Sequence, residues 1–223
     1  MRIHWISIII SILIVTGGLL GARTLTRVDQ DLRVMHAEFT LVTTDLGHVN
    51  GELIRYRTSI IRAIEADTKE EFLRIAASFP QKRNRIDKAI ERFVIANNDS
   101  SAGKRMDSRQ LAELKAVREK LEAYIAASHE TIQLMERRWN TASRSEAQQL
   151  RRQAEDNAAK DAGVKFIDVT LELDRLLDVV AGIAGEVKKD ADARLRIETM
   201  VIVGASLGLA ALVLVLPRSK ISG

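Results

Sequence analysis

The chain has 223 residues, no cysteine, two prolines and 29% charged side chains, with a formal net charge of +4. The absence of cysteine excludes disulfide frameworks, thiolate metal sites and cysteine nucleophiles. Only 4% of the residues are aromatic, which argues against a β-sandwich or barrel, because strands are enriched in aromatic and β-branched side chains.

The chain begins with an apolar segment in which residues 4–22 include no Asp, Glu, Lys or Arg. A helix of this length crosses the hydrocarbon core of a bilayer. A cleavable signal peptide is the alternative, but Leu20 before Ala22 makes a poor cleavage pair, and a helical pattern follows without a break. We therefore predict that residues 1–22 form a transmembrane helix with a short cytoplasmic N-terminus.

From Leu25 onward, apolar residues recur at alternating steps of three and four, which is the spacing of a packed helix. They are Leu25, Val28, Leu32, Met35, Phe39, Val42, Leu46, Val49, Leu53, Tyr56, Ile60 and Ala63. Asp67 and Glu70 have the spacing of a capping box. The first helix is therefore predicted to end near Ala66, and a tight turn to lead into an antiparallel second helix.

The second predicted helix carries its large apolar side chains on one face. They are Phe72, Ile75, Phe79, Ile86, Ala89 and Phe93. Pro80 lies inside this helix and is expected to kink it. Residues 97–103, rich in Asn, Ser and Gly, form the clearest loop in the sequence.

Two further helices follow, each with a capping signal. Asp107 or Ser108 is expected to cap the third, whose seam is predicted as Leu111, Leu114, Leu121, Ile125, Ser128, Ile132, Met135 and Trp139. Ser143 and Glu146 form a capping box for the fourth. Its predicted seam is Ala159, Ala162, Phe166, Val169, Leu173, Leu176, Val180, Ile183 and Val187.

A second segment without Asp, Glu, Lys or Arg covers residues 199–217, and we predict a second transmembrane helix there. Lys and Arg in short flanking segments mark the cytoplasmic side of a membrane. Arg2, Arg218 and Lys220 occupy such segments and favour a cytoplasmic location for both termini. The predicted fold is all-α, an antiparallel up-down-up-down four-helix bundle over residues 23–198, outside the membrane and flanked by two transmembrane helices.

Positive charge is concentrated where the helical hairpins are predicted to turn. Residues 55–74 and 137–152 together hold ten basic and five acidic side chains, an excess of +5. Arginine binds carboxylates through two parallel hydrogen bonds, so this end of the bundle suits the capture of a small anion. An ordinary solvated basic tip is the alternative.

Polar residues also interrupt the predicted seams. Tyr56 falls at a core position of the first helix, and extension of the fourth seam backward from Ala159 places Glu155 and Arg152 at core positions. Buried polar groups are costly unless they are paired. We therefore predict a ligand pocket lined by Tyr56, Arg152 and Glu155, with Arg55 and Arg62 on adjacent faces. The alternative is a frayed bundle end with these residues solvated.

Motifs for other functions are missing from the sequence. The four histidines include no pair at the i, i+4 spacing of a helical metal site, and no phosphate loop or nucleophile elbow occurs. We expect no catalytic residue, no metal, no cofactor and no enzyme activity. Basic and acidic side chains alternate along most of the helices, so nucleic acid is not an expected partner.

The order of a short N-terminus, one span, an external four-helix bundle and a second span resembles the sensor region of bacterial methyl-accepting chemotaxis receptors and related sensor kinases. The resemblance covers essentially the whole chain. Residues 216–223, Leu-Pro-Arg-Ser-Lys-Ile-Ser-Gly, look like the entry to a HAMP linker. Residues 218–223 are therefore expected to be the truncated start of a cytoplasmic HAMP-like linker.

The resemblance implies a homodimer that binds its ligand at the membrane-distal end, between the first and fourth helices of the bundle. The expected function is the sensor region of a chemoreceptor in the bacterial inner membrane, with its central domain periplasmic or extracellular. A small anion such as an amino acid or organic acid would bind there, and a helix displacement would pass inward. The sensor half of a histidine kinase and a membrane-anchored scaffold for a protein partner are the alternatives.

Overall fold

The computed structural model describes residues 43–98 and 106–215, together with residues 21, 23, 26 and 40. The chain divides into two compact units, one of Glu38–Gly182 and one of Met1–Ala37 with Ile183–Gly223. In the second of these units, Gly21 lies close to Ile202, since a Cβ added to Gly21 would be 3.6 Å from Ile202 Cδ1. The described part of the chain is helical and contains no strand.

Six α-helices and one π-helical segment make up the described structure. They are α1 (43–65), α2 (Lys69–Ala76), α3 (Phe79–Asn97), α4 (Ser108–Asn140), α5 (Arg144–Asp156), the π-turn (Asn157–Asp161) and α6 (Ala162–Val215). The prediction of an all-helical chain is confirmed. α2 and α3 together correspond to the predicted second helix, and α5, the π-turn and α6 correspond to the predicted fourth.

Side chains paired along α4 show the direction of its neighbour. Thr131 of α4 meets Asn157 of the π-turn, with Oγ1 2.8 Å from Oδ1, and Lys120 of α4 meets Asp168 of α6 at 3.4 Å. The residue number falls along one helix as it rises along the other. α4 and the helix that follows it are therefore antiparallel neighbours in a helical bundle.

The predicted membrane helices lie largely outside this description. Of residues 1–22 only Gly21 is described, and residues 199–217 are described only as far as residue 215. In the described ranges, no helix has both the length and the apolar character required to cross a membrane. The tail 218–223 and most of the predicted loop 97–103 also lie outside the described residues.

The helix boundaries agree with the capping signals, with two corrections. Asp107, one of the two predicted candidates, caps α4 and forms a capping box with Gln110, and Ser143 caps α5 as predicted. The predicted box of Asp67 and Glu70 was wrong by one residue, because Thr68 caps α2 and accepts from the Glu71 N–H. Pro80 does not kink a continuous helix. The helix ends with α2, and Pro80 lies in the first turn of the next helix, α3, where proline is tolerated.

The core of the Glu38–Gly182 unit is a single apolar cluster to which every helix from α1 to α6 contributes. The α1 seam is buried as predicted, from Leu46 to Ala63. The α4 seam was partly wrong, since Leu111 is 50% exposed while Tyr124 is 1% exposed. The buried residues of α4 follow steps of three and four, except that Ala127 is buried beside Ser128. They are Gln110, Leu114, Val117, Leu121, Tyr124, Ala127, Ser128, Thr131 and Met135.

The π-turn explains why the fourth seam was wrongly extrapolated toward the N-terminus. Its closing bond runs from the Ala162 N–H to the Asn157 carbonyl, five residues back, which inserts one residue relative to an α-helix. Ala154 is buried in consequence, whereas Ala159, Glu155 and Arg152 are exposed. Without the insertion, two charged side chains would occupy core positions, at a large cost in free energy.

We expect Gly163→Ala to lower stability relative to Gly182→Ala in the same helix. A Cβ at Gly163 would lie 3.1 Å from the Ala158 carbonyl oxygen in the π-turn, whereas no atom lies within 4 Å at Gly182. Alanine at the open site gains helix propensity, while alanine at Gly163 crowds the backbone. The free energies of unfolding should differ by at least about 1 kcal/mol, measured by urea denaturation. Equal values for the two variants would contradict this account of the π-turn.

Candidate functional site

Two helical turns lie at the same end of the bundle. The first joins α1 to α2 at residues 66–68, and the second joins α4 to α5 at residues 141–143. Lys69 Nζ donates to Asn140 Oδ1 at 2.7 Å, which joins the start of α2 to the end of α4. The two basic segments of the sequence therefore share one end of the molecule.

The turn between α4 and α5 is held by its own hydrogen bonds. The Thr141 N–H donates to the Arg137 carbonyl at 3.0 Å, and Thr141 Oγ1 donates to Glu146 Oε2 at 2.6 Å. Ser143 caps α5 by accepting from the Glu146 N–H. These bonds fix the last turn of α4 against the first turns of α5, and so position the side chains at this end of α4.

Arg138 and Trp139, at this end of α4, carry two donors that lack acceptors. Arg138 Nη1 and Trp139 Nε1 are both buried, and neither has a hydrogen-bond partner among the residues that the structure describes. The Arg138 guanidinium carbon lies 4.3 Å from the centre of the Trp139 ring. A buried donor without an acceptor costs about 1–3 kcal/mol, so this arrangement requires an explanation.

The charges around Arg138 are unbalanced. Burial and then the positive charge of Arg151 lower the pKa of Arg138, and the negative charge of Glu155 opposes this in part. Arg151 Nε in turn donates to Glu155 Oε1 at 2.9 Å. The positive charges of Arg138 and Arg151 are therefore balanced by only one nearby carboxylate, that of Glu155. We call Arg138, Trp139, Arg151 and Glu155 the hairpin donor site.

This arrangement can bind a small anion. A carboxylate supplies up to four acceptor positions and a negative charge, and charge-assisted hydrogen bonds are stronger than neutral ones. Bound near Arg138 and Trp139, it would satisfy both orphan donors and reduce the repulsion between the two arginines. The described residues contain no cluster of three or more His, Asp or Glu side chains that could hold a metal ion.

The structure does not bring the five residues predicted to bind the ligand into one site. Arg55 is exposed and pairs with Glu52 on its own helix. Tyr56 is buried as predicted and lines a cavity of about 280 Å³ together with Phe79 and Arg83. Glu155 belongs to the hairpin donor site.

The other two predicted residues line separate surface grooves. Arg62 and Arg74 line a groove that also holds three acidic side chains, those of Glu65, Asp67 and Glu71. Arg152 lines a groove of about 700 Å³ between α4 and α5. Its other charged side chains are those of Glu130, Asp156, Lys160 and Asp161. Neither groove carries an excess of positive charge.

Sequence reasoning missed the pair at the centre of the hairpin donor site. Arg138 and Arg151 were counted only as part of the positive charge, and Trp139 was assigned to the core. The available signal was a tryptophan beside an arginine at a helix end, because a buried indole N–H normally has a hydrogen-bond partner. Assigning Trp139 to an apolar core left its indole N–H without a hydrogen-bond partner.

Comparison with known proteins gives one finding. The sequence model of a family described as a four-helix-bundle sensory module for signal transduction matches residues 1–195. No curated protein and no solved structure matched the chain.

We expect Arg138→Met to stabilise the ligand-free protein. Methionine fills similar space without the buried, unpaired Nη1 donor, and such exchanges are often stabilising. The free energy of unfolding should rise by about 1 kcal/mol, measured by urea denaturation. The exposed neighbour Arg137 provides the control, since Arg137→Met should change stability by less than about 0.5 kcal/mol. A loss of stability in Arg138→Met alone would indicate a purely structural role for Arg138.

Proposed function

The chain belongs to the family of four-helix-bundle sensory modules for signal transduction, and from this premise we propose that it is the sensor region of a transmembrane chemoreceptor. The ligand is a small anion bound at the hairpin donor site. The observation that carries this proposal is the pair of buried donors, Arg138 Nη1 and Trp139 Nε1, that lack acceptors in the described structure beside the positive charge of Arg151.

We propose that the protein lies in the bacterial inner membrane, with transmembrane helices at residues 1–22 and 199–217 and residues 23–198 outside. Support comes from the two uncharged segments and from Arg2, Arg218 and Lys220 in the short flanks.

The chain contains no cysteine, so a cysteine introduced at the exposed Ala142 provides a single site for labelling. A membrane-impermeant thiol reagent should label it in intact spheroplasts, and complete protection would refute this orientation.

The proposed signal is a displacement of the fourth helix of the bundle. That helix runs from Arg144 through the π-turn into α6, which continues to Val215. Arg151 and Glu155 lie on it, so an anion that binds one helix position more tightly than another would shift the population between the two. Shifts of about 1–2 Å occur in other signalling proteins.

We propose that the sensor is a homodimer. Five large apolar side chains on α1 and α6 are 43–56% exposed: Ile54, Ile61, Val164, Ile167 and Leu171. The two helices meet where the Arg57 guanidinium lies 4.5 Å from the centre of the Phe166 ring, and the exposed residues flank this contact along the chain. A second copy of the chain that covers this face would remove the apolar surface from water.

The anion proposal predicts a change in Trp139 fluorescence. The sequence contains two tryptophans, so Trp5→Phe leaves Trp139 as the only one. We would titrate this variant of the 223-residue chain, in detergent micelles, with amino acids, dicarboxylates and aromatic acids. At least one anion should give a saturable change in emission, and at about 100 times its dissociation constant it should add about 2.7 kcal/mol of stability.

Two further variants decide whether the signal comes from the proposed site. In the Trp5→Phe background, Arg138→Met should abolish the response and Arg137→Met should retain it. If no anion alters the emission or the stability of a folded dimer, anion sensing is wrong. A protein partner would then be the better candidate for what the bundle binds.

The dimer proposal predicts that Ile61→Glu weakens self-association by at least about tenfold, because a carboxylate would be buried without a partner at the interface. Analytical ultracentrifugation in detergent measures this. Ile95→Glu is the matched control, since Ile95 is 63% exposed and belongs to α3, not to the proposed α1–α6 face. Equal weakening by both variants, or by neither, would exclude the α1–α6 face as the interface.

A further inference from the structure

A half-open cavity lies at the break between α2 and α3, on the side of the bundle. Its volume is about 280 Å³, and its wall includes Tyr56 of α1, Phe79, Pro80 and Arg83 of α3, and His129 and Ile132 of α4. An apolar cavity of about 150 Å³ holds one benzene molecule. This cavity therefore has room for one aromatic ring with a substituent.

The break between the two helices creates this space. α2 ends at Ala76, and α3 begins at Phe79 with Pro80 in its first turn. Ser78 Oγ donates back to the Ile75 carbonyl at 2.6 Å. The small side chain of Ala76 and the compact ring of Pro80 form the wall at the break. Continuous helical packing would normally fill such a space.

The wall of the cavity also carries two aromatic rings and one phenolic hydroxyl. The rings of Tyr56 and Phe79 meet edge to face, with centroids 5.2 Å apart. Tyr56 is 5% exposed, and no described residue forms a hydrogen bond with its hydroxyl. Burial raises the pKa of Tyr56, although Arg83 opposes this. The phenol is therefore protonated at neutral pH, and its hydroxyl can donate a hydrogen bond.

The charge of Arg83 is already balanced. Its Nε donates to Asp87 at 2.9 and 3.0 Å, and both of its Nη atoms donate to Glu122. Hydrogen bonding to Glu122 is the largest cause of the raised pKa of Arg83. With two carboxylates around one guanidinium, the cavity wall has no excess positive charge for an anion.

We propose that this cavity is a second binding site, separate from the hairpin donor site, for an uncharged single-ring aromatic molecule with an amide or hydroxyl substituent. The ring packs on Tyr56, Phe79, Pro80 and Ile132, and the substituent bonds to the Tyr56 hydroxyl. Apolar walls with a few fixed polar groups are typical of small-molecule sites.

A row of rings connects this site to α6. Tyr56 contacts Tyr124 with centroids 6.0 Å apart, and Tyr124 contacts Phe166 at 5.6 Å. Tyr124 is 1% exposed, so the middle of the row is enclosed by the core. A ligand that moves Tyr56 therefore displaces a packed row that ends on the fourth helix of the bundle, the proposed signalling element.

Nicotinamide is a suitable probe, because it is uncharged, has one ring and one amide, and is soluble in water. Equilibrium dialysis against the full chain in detergent micelles should show one saturable site per protomer. Benzoate should bind more weakly, because Asp87 and Glu122 already neutralise Arg83. Non-saturable uptake of nicotinamide, or tighter binding of benzoate, would overturn the proposal.

Substitutions in the cavity wall test whether nicotinamide binds in this cavity. Ala76→Leu should abolish nicotinamide binding by filling the cavity, whereas the same exchange at exposed Ala126 of α4 should leave it intact. Tyr56→Phe retains the ring and removes only the hydroxyl, so affinity should fall about three- to tenfold. Unchanged binding in Ala76→Leu would refute this location. Loss of binding in Arg138→Met would show that the two sites are one, and retained binding there keeps this inference independent of the anion proposal.

Discussion

The π-turn at Asn157–Asp161 is the feature on which the candidate site depends. An α-helix extended toward the N-terminus from Ala162 would direct Glu155 and Arg152 into the core, where unpaired charges are costly. The inserted residue instead buries Leu150 and Ala154 and leaves Arg151 and Glu155 about half exposed. Thr131, itself fully buried, meets Asn157 in this turn. The register that protects the core is therefore also the register that places Arg151 and Glu155 beside Arg138.

The hairpin donor site differs from the apolar core in the pairing of its buried polar groups. Most buried polar groups in folded proteins have partners, yet Arg138 and Trp139 each hold a buried donor that has none in the described structure. The surrounding turn is well bonded, through Thr141, Ser143 and Glu146. These bonds limit the freedom of the residues around the unsatisfied donors, which would lower the entropic cost of binding the proposed ligand there.

The two proposed sites differ in the charge that they offer. Around Arg138, two guanidinium groups share one carboxylate, whereas around Arg83, one guanidinium binds two carboxylates. The first arrangement favours an anion and the second a neutral molecule. Both sites contact the fourth helix of the bundle, one through Arg151 and one through the ring row that ends at Phe166. In the proposed mechanism, this helix would therefore receive two signals of different chemistry.

The sequence by itself determined the helical class, the seam of α1 and the caps at Asp107 and Ser143, because helical periodicity and capping are local properties of the chain. It also predicted that the two basic segments, 55–74 and 137–152, meet at one end of the bundle, which the bond between Lys69 and Asn140 confirms. Only the tertiary structure decided that Arg138 Nη1 and Trp139 Nε1 are buried without partners in the described structure, that Leu111 is exposed while Tyr124 is buried, and that α2 and α3 are separate helices. Those outcomes depend on the register between helices, and the single residue inserted by the π-turn changes that register without any clear signal in the local sequence.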